Sequence, residues 1–197
     1  MIIRLSNHNL FMAAMIGISR NVKGTGKAGR FGVNNTRNGW QIHCDGACGE
    51  AAVAKACGLY WDGALGDFGA KDVGEYQVRT NPNEWGDLIL HERDNDADPY
   101  ILVLSHGSPD FNLRGWIYGS EGKLSEYWRD GSPGRPAFFV PQEKLRPIEE
   151  LITGRATPGR GTPQIIKDPS NSCPGKSQGK DPVPEYSTAL TTAQGTR

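Results

Sequence analysis

A carboxylate on a helix, a second carboxylate just before a glycine turn, and an amide and a guanidinium alternating along the next strand form a set that can handle a phosphodiester. In this chain of 197 residues the set is Glu50, Asp72, Gln77 and Arg79. In KDVGEYQVRT, strand geometry puts Glu75, Gln77 and Arg79 on one face and Tyr76 and Val78 on the other. A hairpin at Gly74 would bring Asp72 beside Gln77. An acid, an amide oxygen and a permanent cation then converge on one edge. Mg²⁺ prefers hard oxygen ligands and keeps several waters. Asp72 can supply a carboxylate and Gln77 a neutral oxygen, while Glu50 binds the ion directly or holds one of its waters. Such an ion lowers the pKa of an attacking water and neutralises charge on the phosphate. Arg79 can clamp the scissile phosphate or stabilise the charge that develops there. It cannot act as a general base, because it stays protonated.

Positioning that set takes a helix and a strand edge. DGACGEAAVAKACG reads as a helix capped by Asp45, with Gly58 just past its end. Ala47, Ala51 and Ala54 form a small-residue stripe, which lets a helix lie very close to a sheet. Glu50 borders that stripe, and an acid there is costly unless a partner meets it. Upstream, Ser6 or Asn7 can cap an amphipathic helix running to about Arg20, on which Leu10, Ala13, Ala14 and Ile18 recur at helical spacing. Downstream, apolar patterning predicts strands over 76–80, 87–91, 100–105, 113–118 and 137–140, with Pro141 ending the last. Residues 142–151 read as a turn and a short helix. From Ile152 onward Pro, Gly, Ser, Thr, Lys and Gln dominate without apolar periodicity. The composition therefore predicts an α/β domain over 1–151 and a disordered basic tail over 152–197.

The order of a helical Glu, an Asp and a short polar-x-basic strand, here Glu50, Asp72 and Gln77-Val78-Arg79, resembles the PD-(D/E)XK, or restriction-endonuclease-like, nucleases. The stretch from about Leu5 to Leu151 is also similar to a group of uncharacterised phage and prophage proteins related to those nucleases. The similar blocks are GACGEAAVAKACGLYW, DVGEYQVRT, GDLILHERD, LRGWIYG and RPAFFVPQEKL. The resemblance implies a mixed central sheet flanked by helices and Mg²⁺- or Mn²⁺-dependent cleavage of phosphodiester bonds in DNA. It also implies that Glu50, Asp72, Gln77 and Arg79 are catalytic, with Asp72, Gln77 and Glu50 as metal ligands. The chain departs from the nuclease pattern at two positions: Gln77 stands for the usual acid and Arg79 for the usual Lys. Glu75, on the same strand face, could supply the missing carboxylate. The alternative expectation is a nucleic-acid-binding phage protein of the same fold whose catalytic site has lapsed.

Net formal charge is zero but unevenly spread. Residues 1–151 carry 16 basic against 19 acidic side chains, and residues 152–197 carry 6 against 3. Arg20, Lys23, Lys27, Arg30 and Arg37 follow one another with no acid between them, in or beside the Gly-rich run VKGTGKAGRFGVNNTRNG. They make a candidate arm for tracking a phosphate backbone with salt-sensitive affinity. A neutral total does not exclude a nucleic-acid partner, because binding depends on where the charge sits. DNDADP has Pro99 where a calcium loop needs Gly and Ser105 where it needs the closing acid, so it reads as a solvated turn. Cys44, Cys48, Cys57 and Cys173 form no CxxC pair and read as reduced, with Cys48 and Cys57 packing helices. His43, His91 and His106 have no nucleophile at a telling spacing. The apolar run at the start is short and lacks a cleavage site, and no segment reaches transmembrane length. The expected location is the cytoplasm (the host's, for a phage-encoded chain), with no membrane partner. A homodimer is compatible with the sequence.

Overall fold

The computed structural model describes residues 1–24, 39–63, 71–105, 109–131 and 135–153. One compact unit spans Met1–Pro158; a second, Gly159–Arg197, lies wholly outside the described residues, and so does the expected tail from residue 154 onward. In chain order the elements are β1 (Ile2–Arg4), α1 (Asn7–Gly24), α2 (Gly39–Cys57), β2 (Gln77–Asn81), β3 (Leu88–Leu90), β4 (Pro99–Ser105), β5 (Asp110–Tyr118), α3 (Gly119–Gly122), β6 (Trp128–Asp130), β7 (Pro136–Val140) and α4 (Ile148–Thr153). The last helix runs slightly past the expected boundary at residue 151. No helix among the described residues is long and apolar enough to cross a membrane.

The strands form two sheets. One is mixed, in the order β1-β5-β4-β2, with β2 parallel to β4 and the other neighbours antiparallel. The other is antiparallel, in the order β3-β7-β6. The mixed sheet buries both faces. Val78, Ile101, Val103, Leu113 and Trp116 pack with Ala13 of α1 and with Ala47, Ala51 and Ala54 of α2. Tyr100, Leu102, Leu104 and Ile117 pack instead against Leu88, Leu90 and Val140 of the second sheet. Two-sided burial explains why residues 100–105 read as an unbroken apolar run. It also corrects one expectation: the two long helices cover a single face of the mixed sheet, and a second sheet covers the other.

β5 keeps its apolar residues inward by a bulge. Leu102 faces Gly115 while Val103 faces Leu113, which leaves Arg114 as the extra residue. The phase shift lets Phe111, Leu113 and Trp116 share the helix-covered face despite their mixed spacing.

The two long helices meet through small residues. α1 opens on a reciprocal cap: Asn9 N–H donates to Ser6 Oγ at 3.2 Å, and Ser6 N–H donates to Asn9 Oδ1 at 3.4 Å. Its buried line is Ala13, Gly17 and Asn21, whereas Ile18, expected on that line, is 36% exposed. A Cβ at Gly17 would lie 2.5 to 2.8 Å from backbone atoms of Cys44 and His43, so the helices touch backbone to backbone. This contact draws the start of α2 back to Gly39, which itself abuts Asn21. Asp45 therefore lies inside α2 and does not cap it, contrary to its sequence reading. The other end behaves as expected. Gly58 takes φ +62°, Leu59 N–H donates to Ala54 O at 2.9 Å and Gly58 N–H donates to Lys55 O at 3.4 Å, a glycine-terminated helix end.

Candidate functional site

α2 brings Glu50 to the edge of the mixed sheet. Gly49 rests on Thr80 of β2 so closely that a Cβ there would collide with the threonine hydroxyl. The next residue, Glu50, is 5% exposed and fully engaged. Arg20 donates from both terminal nitrogens, to Oε1 at 2.5 Å and to Oε2 at 2.8 Å, and Trp61 Nε1–H donates to Oε2 at 3.0 Å. Burial pulls the Arg20 guanidinium down, but the hydrogen bonds and charge of Glu50 outweigh it and hold the group above its ordinary pKa. The partner that a buried acid requires is therefore present.

Asp72 reaches the same edge through the hairpin. Tyr76 N–H donates to Val73 O at 2.9 Å and Asp72 N–H to Tyr76 O at 3.0 Å, around Gly74 at φ +57°. The Val73–Tyr76 bridge sets Asp72 opposite Gln77, as expected from the sequence. β2 is an edge strand, and Asp72 Oδ2 accepts its Val78 N–H at 2.8 Å. The same oxygen lies 3.8 Å from the Arg79 guanidinium. Burial and then the charge of Glu50 push the Asp72 carboxyl up to about 6; the Val78 N–H, Arg79 and Arg20 offset this only in part.

Gln77 and Arg79 occupy the other side of β2. The register pairs Val78 with Ile101 on the helix-covered face, so Gln77 and Arg79 fall on the face of Tyr100 and Leu102. The Arg79 guanidinium lies 5.1 Å from the centre of the Tyr100 ring and donates to Asp94 Oδ2 at 3.0 Å. Asp94 Oδ2 also accepts the His91 backbone N–H at 3.0 Å. The acidic turn is thus not simply solvated, as its sequence suggested. Asp94 pairs with Arg79, Asp96 with Lys123 at 2.6 Å, and the buried Asp98 with Lys71.

The result is a run of charged side chains, Arg20, Glu50, Asp72, Arg79 and Asp94, in which two adjacent carboxylates lie between two guanidiniums and which wraps the β2 edge from one face to the other. Asp72 Oδ1 and the Gln77 amide have no partner among the described residues. Glu75 is an exposed turn residue outside the strand. Of the basic arm, Lys23 is exposed on the last turn of α1, Arg20 is committed to Glu50, and Lys27, Arg30 and Arg37 lie outside the described residues.

A divalent cation suits this donor set in kind. Asp72 and Gln77 offer hard oxygens, and two carboxylates that repel each other gain from a cation nearby. Among the described residues no three His, Cys, Asp or Glu side chains form a metal-holding group. Glu50 could join Asp72 and Gln77 only if Arg20 gave way. A doubly charged ion and a guanidinium about 4 Å apart repel by about 8 kcal/mol at an effective dielectric of about 20.

Three contributors escaped the sequence reading: Arg20 as the partner of Glu50, Trp61 as its second donor, and Asp94 as the holder of Arg79. Only the first left a trace, in the requirement that a buried acid be paired. No protein-family model matches the chain, and neither curated proteins nor solved structures supplied a match.

Proposed function

We propose that the protein is a restriction-endonuclease-like phage nuclease that hydrolyses phosphodiester bonds in DNA at the edge of β2, with Mg²⁺ or Mn²⁺. Asp72 carries this reading. Burial, and then the charge of Glu50, push its carboxyl up to about 6 against the opposing pull of Arg79, which works against stability at neutral pH. Strongly perturbed acids with a specific charge partner mark functional sites more often than plain surface acids do.

Asp72 Oδ1 and the Gln77 side-chain oxygen would hold the ion, and Glu50, on the other side of β2 from Gln77, would join them only once Arg20 gave way. When bound, it would acidify a water and offset phosphate charge. The chain's own groups do the rest. The Val78 N–H fixes Asp72 through Oδ2 and leaves Oδ1 to the site. Asp94 and the Tyr100 ring hold the Arg79 guanidinium beside Asp72, where it can grip a non-bridging phosphate oxygen and stay charged throughout. In the reaction a water oxygen bonds to phosphorus and gives up a proton, the ester P–O bond breaks, and the departing oxygen takes up a proton. Such an enzyme would act in the cytoplasm, that of the host for a phage-encoded chain.

One observation favours a second reading, a DNA-binding protein with a lapsed site: Arg20 and Trp61 already take both oxygens of Glu50. Incubating the full chain with supercoiled and single-stranded DNA and either metal separates the two readings. Metal-dependent cleavage that vanishes in Asp72→Ala supports the nuclease. Salt-sensitive binding without cleavage on every substrate and metal replaces it with the binder.

A further inference from the structure

Arg20 stands where a divalent ion would have to meet Glu50. Its two terminal nitrogens cover the two carboxylate oxygens one to one, at 2.5 and 2.8 Å. Both side chains are shielded, at 19% and 7% exposure, so water does little to dilute the contact. We infer that Arg20 is an internal counter-cation that competes with the divalent ion for Glu50, keeping the metal-free site closed and swinging away when the ion binds; this rests on the metal-dependent reading above.

Three features make the exchange workable. Trp61 Nε1–H bonds Oε2 independently of Arg20, so Glu50 keeps one orienting donor after the guanidinium leaves. Arg20 lies near the end of α1, close to the final residue Gly24, where a helix is most easily rearranged. Asp62, an exposed carboxylate, already attracts Arg20 alongside Glu50. The net effect is that Glu50 has a counter-charge in both states: the guanidinium without metal, and the ion with it.

The competition predicts a gain where a purely structural ion pair predicts a loss. Mn²⁺ binding to the full chain, followed by calorimetry and by electron paramagnetic resonance, should be about tenfold tighter in Arg20→Gln than in wild type, a coupling of ordinary size between linked sites. Arg20→Lys, with a single donor head, should fall between them. Metal binding that is unchanged or weaker in Arg20→Gln overturns the competition and leaves the nuclease reading standing. No Mn²⁺ binding by either protein overturns both. Should Arg20→Gln not fold, wild type answers alone: the Arg20 side-chain N–H resonances should be protected from solvent exchange in chelator and lose that protection on Mg²⁺ saturation. Protection that persists with Mg²⁺ bound overturns the inference.

Discussion

The two faces of the mixed sheet are built on opposite terms. Under the helices, Ala13, Ala47, Ala51 and Ala54 pack as small residues, Gly17 brings two helix backbones into contact and Gly49 seats α2 on Thr80, and the polar chain of Glu50 and Arg20 threads the rim. Under the second sheet, Leu88, Leu90, Leu102, Leu104 and Val140 fill the space with large aliphatic groups. Small residues fix distances tightly but bury little area each; large ones bury area and position nothing polar. The helix-covered face therefore sets the geometry of the site, and the sheet-covered face supplies much of the cohesion. Arg79 sits where the two meet, on the second-sheet side of β2 yet beside Asp72.

Substitutions should separate these roles. The largest loss of stability is expected from Leu102→Ala, fully buried between the sheets, at about 4 kcal/mol. Thermal unfolding would show it, while Mn²⁺ binding below the transition should be unaltered. Gly17→Ala should cost about 2 to 3 kcal/mol, because the added methyl meets backbone that cannot step aside. Unlike Leu102→Ala, it should also disturb the site, read as loss of the protected Arg20 side-chain signals. Equal disturbance by both variants would erase the distinction between the faces.

The third effect has the opposite sign. Asp72 binds its proton more tightly folded than unfolded, with a folded pKa of about 6 against an ordinary 3.8. Stability should therefore fall as pH rises from about 4 to about 6 and stay reduced above that window, by about 2 kcal/mol for a group this shielded. Asp72→Asn keeps an oxygen for the Val78 N–H and removes the charge. In chelator it should be more stable than wild type at pH 7.5 and nearly equal at pH 4. A gain of the same size at both values would assign the effect to something other than ionisation. The smallest effect is expected at Thr80, whose buried hydroxyl has no hydrogen-bond partner under Gly49. Thr80→Val should change stability by less than about 0.5 kcal/mol, measured by denaturant unfolding.

Local signals read well in advance. The alternation and apolar runs located the strands at 88–90 and 99–105, Gly58 marked the end of α2, and Gly74 announced the hairpin that sets Asp72 opposite Gln77. What stayed hidden was long-range. β1 and β6 are three residues each, too short for a period to show, and exist because β5 and β7 offer edges to pair with. Asp45 reads as a cap only until α1 is in place to extend the helix upstream of it. Glu50 declared its need for a partner, yet Arg20 lies 30 positions away and read as part of a basic arm. Likewise nothing local tells that Asp94 reaches back to Arg79.

Cleavage of supercoiled DNA by wild type and Asp72→Asn, at pH 7.5 with Mg²⁺ or Mn²⁺, bears most directly on the central claim. The account predicts metal-dependent nicking or linearisation by wild type and none by the variant, even though the variant is the more stable protein. Equal cleavage by both, or none by wild type with either metal, would contradict it.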